Sequence, residues 1–286
     1  MTDSPPATSA VPALLRDRVA LVTGAANGLG ATIAATLAAA GARGVALDRE
    51  PVAAPPADWL GLAADVTDPA ALRTAVATAV ERFGRLDVVV ANAGVVPPWR
   101  ATAEIDAAEW DRVSVVNVRG VADTIAAAAP ALAQAARTAP AGAPAAPRAL
   151  GDDAGALAPP RGGASVIALA SINARKAHPR QALYSATKHA VVGVVRATAL
   201  DLGRDGIRVN AVAPGAIATD ALLQRMARRA ADGGLAQDEA LAAAASETAL
   251  GRIATAEEVA QTVLFLASDL ASGITGQVVA VDAGIA

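Results

Sequence analysis

Residues 18–40, RVALVTGAANGLGATIAATLAAA, form an apolar run, a glycine-rich turn and an alanine-rich helical stretch. The apolar run 18–22 is typical of a buried parallel strand, and Gly41 is placed to end the helix. The glycines let the backbone approach a pyrophosphate, and the helix N-terminus offers N–H donors to it. The spacing is G-x-x-x-G-x-G and not G-x-G-x-x-G, so a glycine turn without a ligand remains the alternative at this point.

The rest of the chain repeats this alternation of strand and helix. Further apolar runs lie at residues 44–47, 60–64, 86–91, 165–170 and 208–213, with helical stretches between them, and a final strand is predicted at residues 274–281. This spacing is typical of parallel strands joined by crossover helices. We therefore predict an α/β protein with a single Rossmann-type, doubly wound parallel sheet and helices on both faces, whose ligands bind at the carboxyl ends of the strands.

Asp48, at the end of the second predicted strand, indicates which dinucleotide binds. An acidic residue about 20 residues past the glycine turn can accept hydrogen bonds from the adenosine ribose and repels a 2′-phosphate. Asn27 also favours NAD, because a cation in its place, just before the second glycine, would favour NADP. Arg49 favours NADP, because a neighbouring guanidinium can hold a phosphate. We predict NAD as the cofactor, with NADP as the alternative.

Tyr184 is the only tyrosine in the chain, so any phenol chemistry belongs to it. Lys188 follows it by four residues, which on a helix places both side chains on one face. We expect the ammonium to lower the pKa of the phenol toward the working range of a general acid/base. Ser171 lies at the end of the apolar run 165–170. For the Tyr184 and Lys188 pair alone, a surface helix that carries both residues by chance is the alternative.

Composition narrows the class of protein. The 286 residues fit one large α/β domain, and the absence of cysteine excludes disulfides and thiolate sites. Two histidines give no basis for a metal site, and a net charge of −3 argues against nucleic acid as a partner. No apolar run is long enough to predict a membrane span, and the N-terminus does not have the features of a signal peptide. We therefore expect a cytoplasmic enzyme or ligand-binding protein.

Together the motifs resemble the short-chain dehydrogenase/reductase family, in its compact form. The residues that carry the resemblance are Thr23-Gly24-x-x-x-Gly28-x-Gly30, Asn92-Ala93-Gly94, Asn117, Ser171, Tyr184-x-x-x-Lys188, Pro214-Gly215 and Thr219. They occur in the family's order and at its usual spacings over residues 15–284. Each motif alone is of limited specificity, whereas the set leaves little room for coincidence.

The resemblance implies four catalytic residues. Tyr184 would exchange a proton with the substrate oxygen, and Ser171 would position that oxygen. Lys188 would hold the nicotinamide ribose and lower the pKa of Tyr184. Asn117, on the helix after the fourth strand, would support a water that leads to Lys188.

The resemblance also implies the cofactor contacts. The backbone of Ile217 and the hydroxyl of Thr219 would hold the carboxamide and fix the ring face that exchanges hydride. The full predicted set of cofactor-binding residues is Thr23, Gly24, Asn27, Gly28, Leu29, Gly30, Asp48, Arg49, Asp65, Val66, Asn92, Ala93, Gly94, Tyr184, Lys188, Pro214, Gly215, Ile217 and Thr219.

The implied function is hydride transfer between NAD(H) and a secondary alcohol or ketone. One alternative is an NADPH-dependent carbonyl reductase of the 3-oxoacyl or polyketide type, and a second is a nucleotide-binding regulator or scaffold without turnover. The family resemblance also implies a homo-oligomer, a tetramer or a dimer. Its contacts would run through the helices that carry Asn117 and Tyr184 and through the C-terminal strand.

Several segments are particular to this chain. We predict a disordered tail at residues 1–14 before the catalytic domain at 15–286, and a flexible Ala/Pro/Gly insertion at 137–163. Basic residues cluster at 175–180, and they either form a solvated loop or steer an anionic substrate. The charged stretch 220–247, with a break at Gly233-Gly234, would cover the substrate. Ala283 stands where the family more often has glycine.

Overall fold

Seven parallel strands form one sheet in the computed structural model, which describes residues 13–138, 163–231 and 233–285. The order across the sheet is β3-β2-β1-β4-β5-β6-β7, so the direction of winding reverses between β1 and β4. The strands are β1 (Val19–Thr23), β2 (Arg43–Asp48), β3 (Trp59–Ala63), β4 (Val88–Ala91), β5 (Ala164–Leu169), β6 (Ile207–Pro214) and β7 (Val278–Val281). The predicted doubly wound parallel sheet is confirmed.

Eight α-helices connect or cover these strands in the described part of the chain. They are α1 (Gly28–Ala39), α2 (Pro69–Phe83), α3 (Ala107–Ser114), α4 (Gly120–Arg137), α5 (Ala182–Leu202), α6 (Asp220–Ala231), α7 (Gln237–Ser246) and α8 (Ala256–Ala267). The ends of α2 show why such segments begin and end where they do. The Asp68 side chain accepts from Ala70 N at 2.8 Å, and Gly84 ends the helix with a φ of 82°.

The sheet separates two hydrophobic cores. Along β1, Val19 and Leu21 point into one core, and Ala20 and Val22 point into the other. This alternation follows from the two-residue period of a strand, and it explains why strands buried on both faces are apolar throughout. Helices α2, α4 and α5 cover the first face, and α1 and α8 pack against each other on the second.

The helical stretch Ala107–Arg137 is long enough to cross a membrane, and an 18-residue window within it has a mean hydropathy of 1.2. Its second half is α4, which buries Ile125, Ala128 and Leu132 against the sheet. A core helix that lies under a sheet meets the same length and composition criteria as a membrane span. Its apolar face is therefore accounted for by packing against the sheet.

The last strand is shorter than the sequence indicates. The apolar run that begins at Ile274 is irregular as far as Gly276, whose φ of 71° is left-handed. The carbonyl of Ile274 accepts from Asn210 Nδ2 at 2.9 Å, so this peptide is held by a side chain. Strand β7 therefore starts only at Val278, and the predicted start was wrong.

The irregular segments of the sequence prediction fall only partly within the described residues. Leu14, which the sequence assigns to the tail, packs against the core on the α1 and α8 face. Residues 1–12 and 139–162, which hold most of the predicted tail and insertion, lie outside the described residues. The predicted break at Gly233-Gly234 falls between α6 and α7, where Gly233 has a φ of 83°.

Candidate active site

The glycine turn lies between β1 and α1 and depends on the absence of side chains. Gly24 has a φ of 67°, which favours glycine. A Cβ on Gly30 would overlap the carbonyl oxygen of Gly24, so only glycine lets the turn fold this tightly. A Cβ on Gly28 would meet nothing within 4 Å, so the space above the turn is open. Helix α1 begins at Gly28, with Asn27 exposed before it and Leu29 half-buried in its first turn.

Thr23 and Asn92 join the glycine turn to the end of β4. The Thr23 hydroxyl accepts from the backbone N of Asn92 and of Ala93, both at 3.1 Å. The Asn92 side chain donates to the carbonyls of Thr23 at 2.9 Å and Gly24 at 3.0 Å. These bonds fix the turn against the neighbouring strand.

Asp48 ends β2 beside the glycine turn, as the sequence predicts. Its Oδ2 accepts from Ala26 N at 2.9 Å, and its Oδ1 accepts from Glu50 N at 3.1 Å. Each carboxylate oxygen has a further lone pair, so the group can still accept from ribose hydroxyls. Arg49 is exposed and lies 3.4 Å from a carboxylate oxygen of Glu50.

Asp65 and Val66 follow β3 at the same edge. Asp65 accepts from Thr67 N at 2.8 Å, and this bond lowers the pKa of the Asp65 carboxyl, with a smaller contribution from the charge of Arg49. Val66 is buried and packs against Gly120 at the start of α4.

Asn117 is fully buried in a π-helical turn, Val115–Arg119, between α3 and α4. Its Oδ1 accepts from Val95 N at 2.7 Å, and its Nδ2 donates to Val95 O at 2.8 Å and to Thr187 Oγ1 at 3.3 Å. A Cβ on Gly94 would lie 3.3 Å from Asn117 Oδ1 and 3.8 Å from Lys188 Nζ. Asn117 therefore fixes the backbone after Gly94 right beside Lys188.

Ser171 follows β5 and is 8% exposed. Its Oγ accepts from Asn173 N at 3.2 Å, and the Asn173 side chain donates to Gln181 Oε1 at 2.7 Å and to Ser185 Oγ at 3.3 Å. These bonds tie the Ser171 loop to the start of α5, which carries Tyr184. The sequence analysis gave Asn173 no role, because its partners are known only from the fold.

Lys188 is buried on α5, and its ammonium is held by the backbone of β5. Nζ donates to Leu169 O at 2.7 Å and lies 5.7 Å from the centroid of the Tyr184 ring. Burial lowers the pKa of Lys188 from 10.5 to about 8. The two side chains share a face of α5, as the four-residue spacing predicts.

The pKa of Tyr184 differs from the sequence expectation. It is raised, first because burial disfavours the phenolate, and a hydrogen bond from Ser171 and the positive charge of Arg225 oppose this effect. The charge of Arg225 on α6 lowers the pKa of Tyr184, and the Lys188 ammonium donates to Leu169 O. Arg225 belongs to no motif, and no sequence pattern places it beside Tyr184.

The segment after β6 is held by the C-terminal end of the chain. Pro214 ends β6, and Gly215 N donates to Val281 O at 3.0 Å. A Cβ on Gly215 would lie 2.9 Å from Asp282 Cα, so the approach needs glycine. Thr219 N donates to Ile217 O at 2.7 Å, which turns the backbone toward α6.

A cleft opens beside Tyr184, between the loop after β4 and the start of α5. Its lining comprises Pro97, Pro98, Ile105, Glu109, Arg180, Gln181, Leu183 and Tyr184. Trp99 follows the two prolines and is 40% exposed, and the guanidinium of Arg229 lies 4.3 Å from its ring centroid. This cation–π contact connects α6 to the rim of the cleft.

The basic segment 175–180 does not form one patch. Lys176 Nζ lies 3.8 Å from Glu247, and Arg180 lies 3.7 Å from Glu104. Arg180 lines the cleft, and Arg175 is exposed. Steering of an anionic substrate by Arg175 and Lys176 stays a prediction.

Known proteins resemble this chain along its length. The family model described as short chain dehydrogenase matches residues 18–139, and the one described as enoyl-(acyl carrier protein) reductase matches residues 149–286. Versicolorin reductase of Emericella nidulans is 35% identical over 281 residues, which cover 94% of this chain and 96% of the relative. Cis-4-hydroxycyclohexanecarboxylate dehydrogenase of Sinomonas cyclohexanicum is 34% identical over 276 residues, with 94% and 96% coverage.

Solved structures also match this chain over most of its length. The crystal structure of carveol dehydrogenase from Mycobacterium avium in complex with NAD has a TM-score of 0.78 and 30% identity, and the match covers 94% of this chain and 98% of that one. The family resemblance drawn from the motifs is thus confirmed. The chain belongs to the short-chain dehydrogenase/reductase family, oxidoreductases that bind a nicotinamide cofactor and act on alcohol and ketone groups.

Proposed function

We propose that this chain transfers hydride between NAD(H) and a secondary alcohol or ketone, with Tyr184 as the general acid/base. One observation carries the proposal. The only tyrosine of the chain shares a hydrogen bond with Ser171, and Lys188 lies on the same helix face and reaches toward Gly94. All four residues lie at the carboxyl edge of the sheet, where the glycine turn also lies.

The residues at this edge fit a dinucleotide. The open space above Gly28 and the N-terminus of α1 suit a pyrophosphate, which backbone N–H groups and the helix dipole would bind. Asp48 would accept from the adenosine ribose, and its charge favours NAD over NADP. The segment Asn92–Gly94 and the backbone of Ile217 with the hydroxyl of Thr219 would border the nicotinamide half. When bound, NAD(H) supplies or accepts the hydride.

The protein's own residues donate and accept the proton. Burial keeps the Tyr184 hydroxyl protonated near neutral pH, and this is the form that donates to a carbonyl oxygen. Ser171 donates a hydrogen bond to the same oxygen and so orients it. In the oxidation direction, Tyr184 as phenolate accepts the alcohol proton. Lys188, whose pKa of about 8 leaves it mostly charged at neutral pH, stabilises negative charge near Gly94.

The name of a relative supports a secondary alcohol or ketone as the substrate. The name of the Sinomonas cyclohexanicum dehydrogenase describes a secondary alcohol on a ring that also carries a carboxylate. A reacting C–OH group of this kind suits the pair of Ser171 and Tyr184, which act on a single oxygen. The cleft beside Tyr184 has the apolar walls Pro97, Pro98 and Ile105 for the rest of such a molecule.

The experiment that tests this function is Tyr184→Phe. A panel of secondary alcohols and ketones is first screened with NAD and NADH by nicotinamide absorbance. The variant keeps the ring and loses the proton, so we expect kcat to fall about 10²- to 10⁴-fold. Binding of NADH, followed by its fluorescence, should persist. Full activity of the variant would refute the mechanism, and tight NADH binding with no turnover by the unmodified protein would favour the regulator alternative.

We further propose that the chain works in the cytoplasm as a homo-oligomer. An exposed stripe on α5 supports close contact with a second copy, since it consists of small residues and ends at Leu200, which is 82% exposed. The stripe comprises Ala186, Ala190, Gly193, Ala197 and Leu200. Light scattering would give the mass in solution, and a monomer would contradict the assembly.

A further inference from the structure

Asn173 contacts both Ser171 and the first turn of α5, and the motifs of the sequence do not include it. It lies two residues after Ser171 and is 6% exposed. Its backbone N donates to Ser171 Oγ at 3.2 Å, and its Oδ1 lies 3.4 Å from the same oxygen. Residue 173 therefore meets the Ser171 hydroxyl with one donor and one acceptor.

The other end of the Asn173 side chain reaches residues on either side of Tyr184. Nδ2 donates to Gln181 Oε1 at 2.7 Å and to Ser185 Oγ at 3.3 Å. Ser185 N donates to Gln181 O at 2.9 Å, which closes the helical turn in which Tyr184 lies. One side chain thus joins the Ser171 loop to the turn that carries the phenol.

These bonds limit what the Ser171 hydroxyl can do. A serine hydroxyl has one proton and two lone pairs, and the N–H of Asn173 takes one lone pair. The proton can point to Asn173 Oδ1 or to the phenol of Tyr184, with which Ser171 shares a hydrogen bond. At 3.4 Å the contact with Oδ1 is longer than is usual for an O–H···O bond, so it is weak. The proton is therefore easily redirected to an oxygen beside Tyr184.

A second tie between β5 and α5 lies one turn further along the helix. Lys188 Nζ donates to Leu169 O at 2.7 Å, which fixes the helix against the end of the strand that precedes Ser171. This bond involves neither the Ser171 hydroxyl nor the residues that flank Tyr184. Loss of the Asn173 side chain would therefore leave α5 against the sheet and release the Ser171 loop from the start of the helix.

We propose that Asn173 is a positioning residue, which holds the Ser171 hydroxyl and the Tyr184 phenol so that both reach one substrate oxygen. The proposal rests on the function proposed above and adds a residue to the same site. Two hydrogen-bond donors act together on a reacting atom only when both are aligned with it, and rates depend steeply on such alignment. In this role Asn173 acts through Ser171 and does not itself contact the substrate.

Combination of Asn173→Ala with Ser171→Ala tests whether Asn173 acts through Ser171. Asn173→Ala keeps the backbone N–H and loses the side chain, and we expect kcat to fall about 10- to 100-fold with an unchanged Kd for NADH. In the Ser171→Ala background the same substitution should lower kcat less than about twofold, because its target is already gone. The matched control is Asn210→Ala, which removes a buried asparagine from β6 and should leave kcat close to normal in either background.

The only tyrosine of the chain provides a second readout, which needs no turnover. Tyrosine that is isotope-labelled at the carbon bearing the hydroxyl gives one NMR signal, and its position reports the hydrogen bonding of the Tyr184 phenol. We expect Asn173→Ala to shift this signal in the same direction as Ser171→Ala, and the double variant to match Ser171→Ala. Gln181→Met should shift it in that direction too, because it removes the acceptor of the Nδ2 bond without a change at residue 173.

An Asn173→Ala variant with normal kcat and an unshifted tyrosine signal would overturn the proposal. A loss of kcat that is equally large in the Ser171→Ala background would also overturn it, because Asn173 would then act on the fold and not through Ser171. If Asn173→Ala does not fold, an unshifted signal in Gln181→Met is the result that contradicts the proposal.

Failure of this proposal is distinguishable from failure of the proposed function. If ketones are reduced through Tyr184 and neither readout depends on Asn173, only the role of Asn173 is wrong. If the tyrosine signal responds as expected but no alcohol or ketone reacts, Asn173 positions Ser171 and the oxidoreductase function is wrong.

Discussion

Asn117 and Asn210 are two fully buried asparagines that hold backbone in the same way, and only Asn117 borders the active site. Asn117 bonds both the N and the O of Val95, at 2.7 and 2.8 Å. Asn210 accepts from Gln277 N at 3.0 Å and donates to Ile274 O at 2.9 Å. The pair therefore allows the effect of Asn117 on stability to be separated from its effect on activity.

Replacement of either residue by alanine leaves two part-buried backbone groups without their side-chain partner. Each such group costs about 1–3 kcal/mol, and entry of water into the vacated space reduces the sum. We expect the free energy of unfolding to fall by about 2–4 kcal/mol in both Asn117→Ala and Asn210→Ala. Urea unfolding followed by circular dichroism measures this loss as a lower midpoint at constant slope.

Activity should distinguish the two variants. Without Asn117 the backbone at Gly94 and Val95 is released next to Lys188, and a displacement of about 1 Å at a reacting centre can cost on the order of 100-fold in rate. We therefore expect kcat of Asn117→Ala to fall at least tenfold at a temperature where it is folded, and kcat of Asn210→Ala to stay close to normal. Equal kcat values in the two variants would refute this role of Asn117.

Three shorter predictions concern cofactor choice, pH and strain. Asp48→Ser should raise kcat/KM for NADP relative to NAD when the two compete, and an NADP preference of the unmodified protein would favour the NADPH-dependent alternative. The pKa of Lys188 is about 8 when folded and 10.5 unfolded, so the unfolded chain binds more protons between these values and stability should rise with pH there. The rise, relative to Lys188→Met in urea unfolding, should approach about 3 kcal/mol, and a flat difference would contradict it. Ala283 has a φ of 55°, so Ala283→Gly should stabilise the fold by about 1 kcal/mol, and a lower urea midpoint would count against strain at this residue.

The strands and the residues at their ends could be predicted from the sequence because both depend on local features. A strand buried on both faces is mostly apolar, as β1 and β5 are, and the residue that follows it must lie at the carboxyl edge of the sheet. This reasoning placed Asp48, Asn92 and Ser171 at one edge. The start of β7 was wrong because an apolar run does not show that Asn210 holds the peptide of Ile274.

Side-chain partners far apart in the chain could not be predicted. The four-residue spacing brought Tyr184 and Lys188 to one helix face, but it could not show that the ammonium binds the carbonyl of Leu169. Nor could it show that Arg225, on the helix that follows strand β6, contributes a positive charge that lowers the pKa of the phenol. Contacts of this kind depend on the whole fold and leave no periodic pattern.

The residues around the site therefore differ in which part of the fold positions them. The residues proposed for proton transfer and cofactor binding lie at short spacings and at strand ends, which follow directly from the sheet. Arg225 instead depends on where α6 lies, and α6 is held to the cleft by the contact of Arg229 with Trp99. A substitution in α6 can therefore alter the rim of the cleft while Ser171 and Tyr184 keep their geometry.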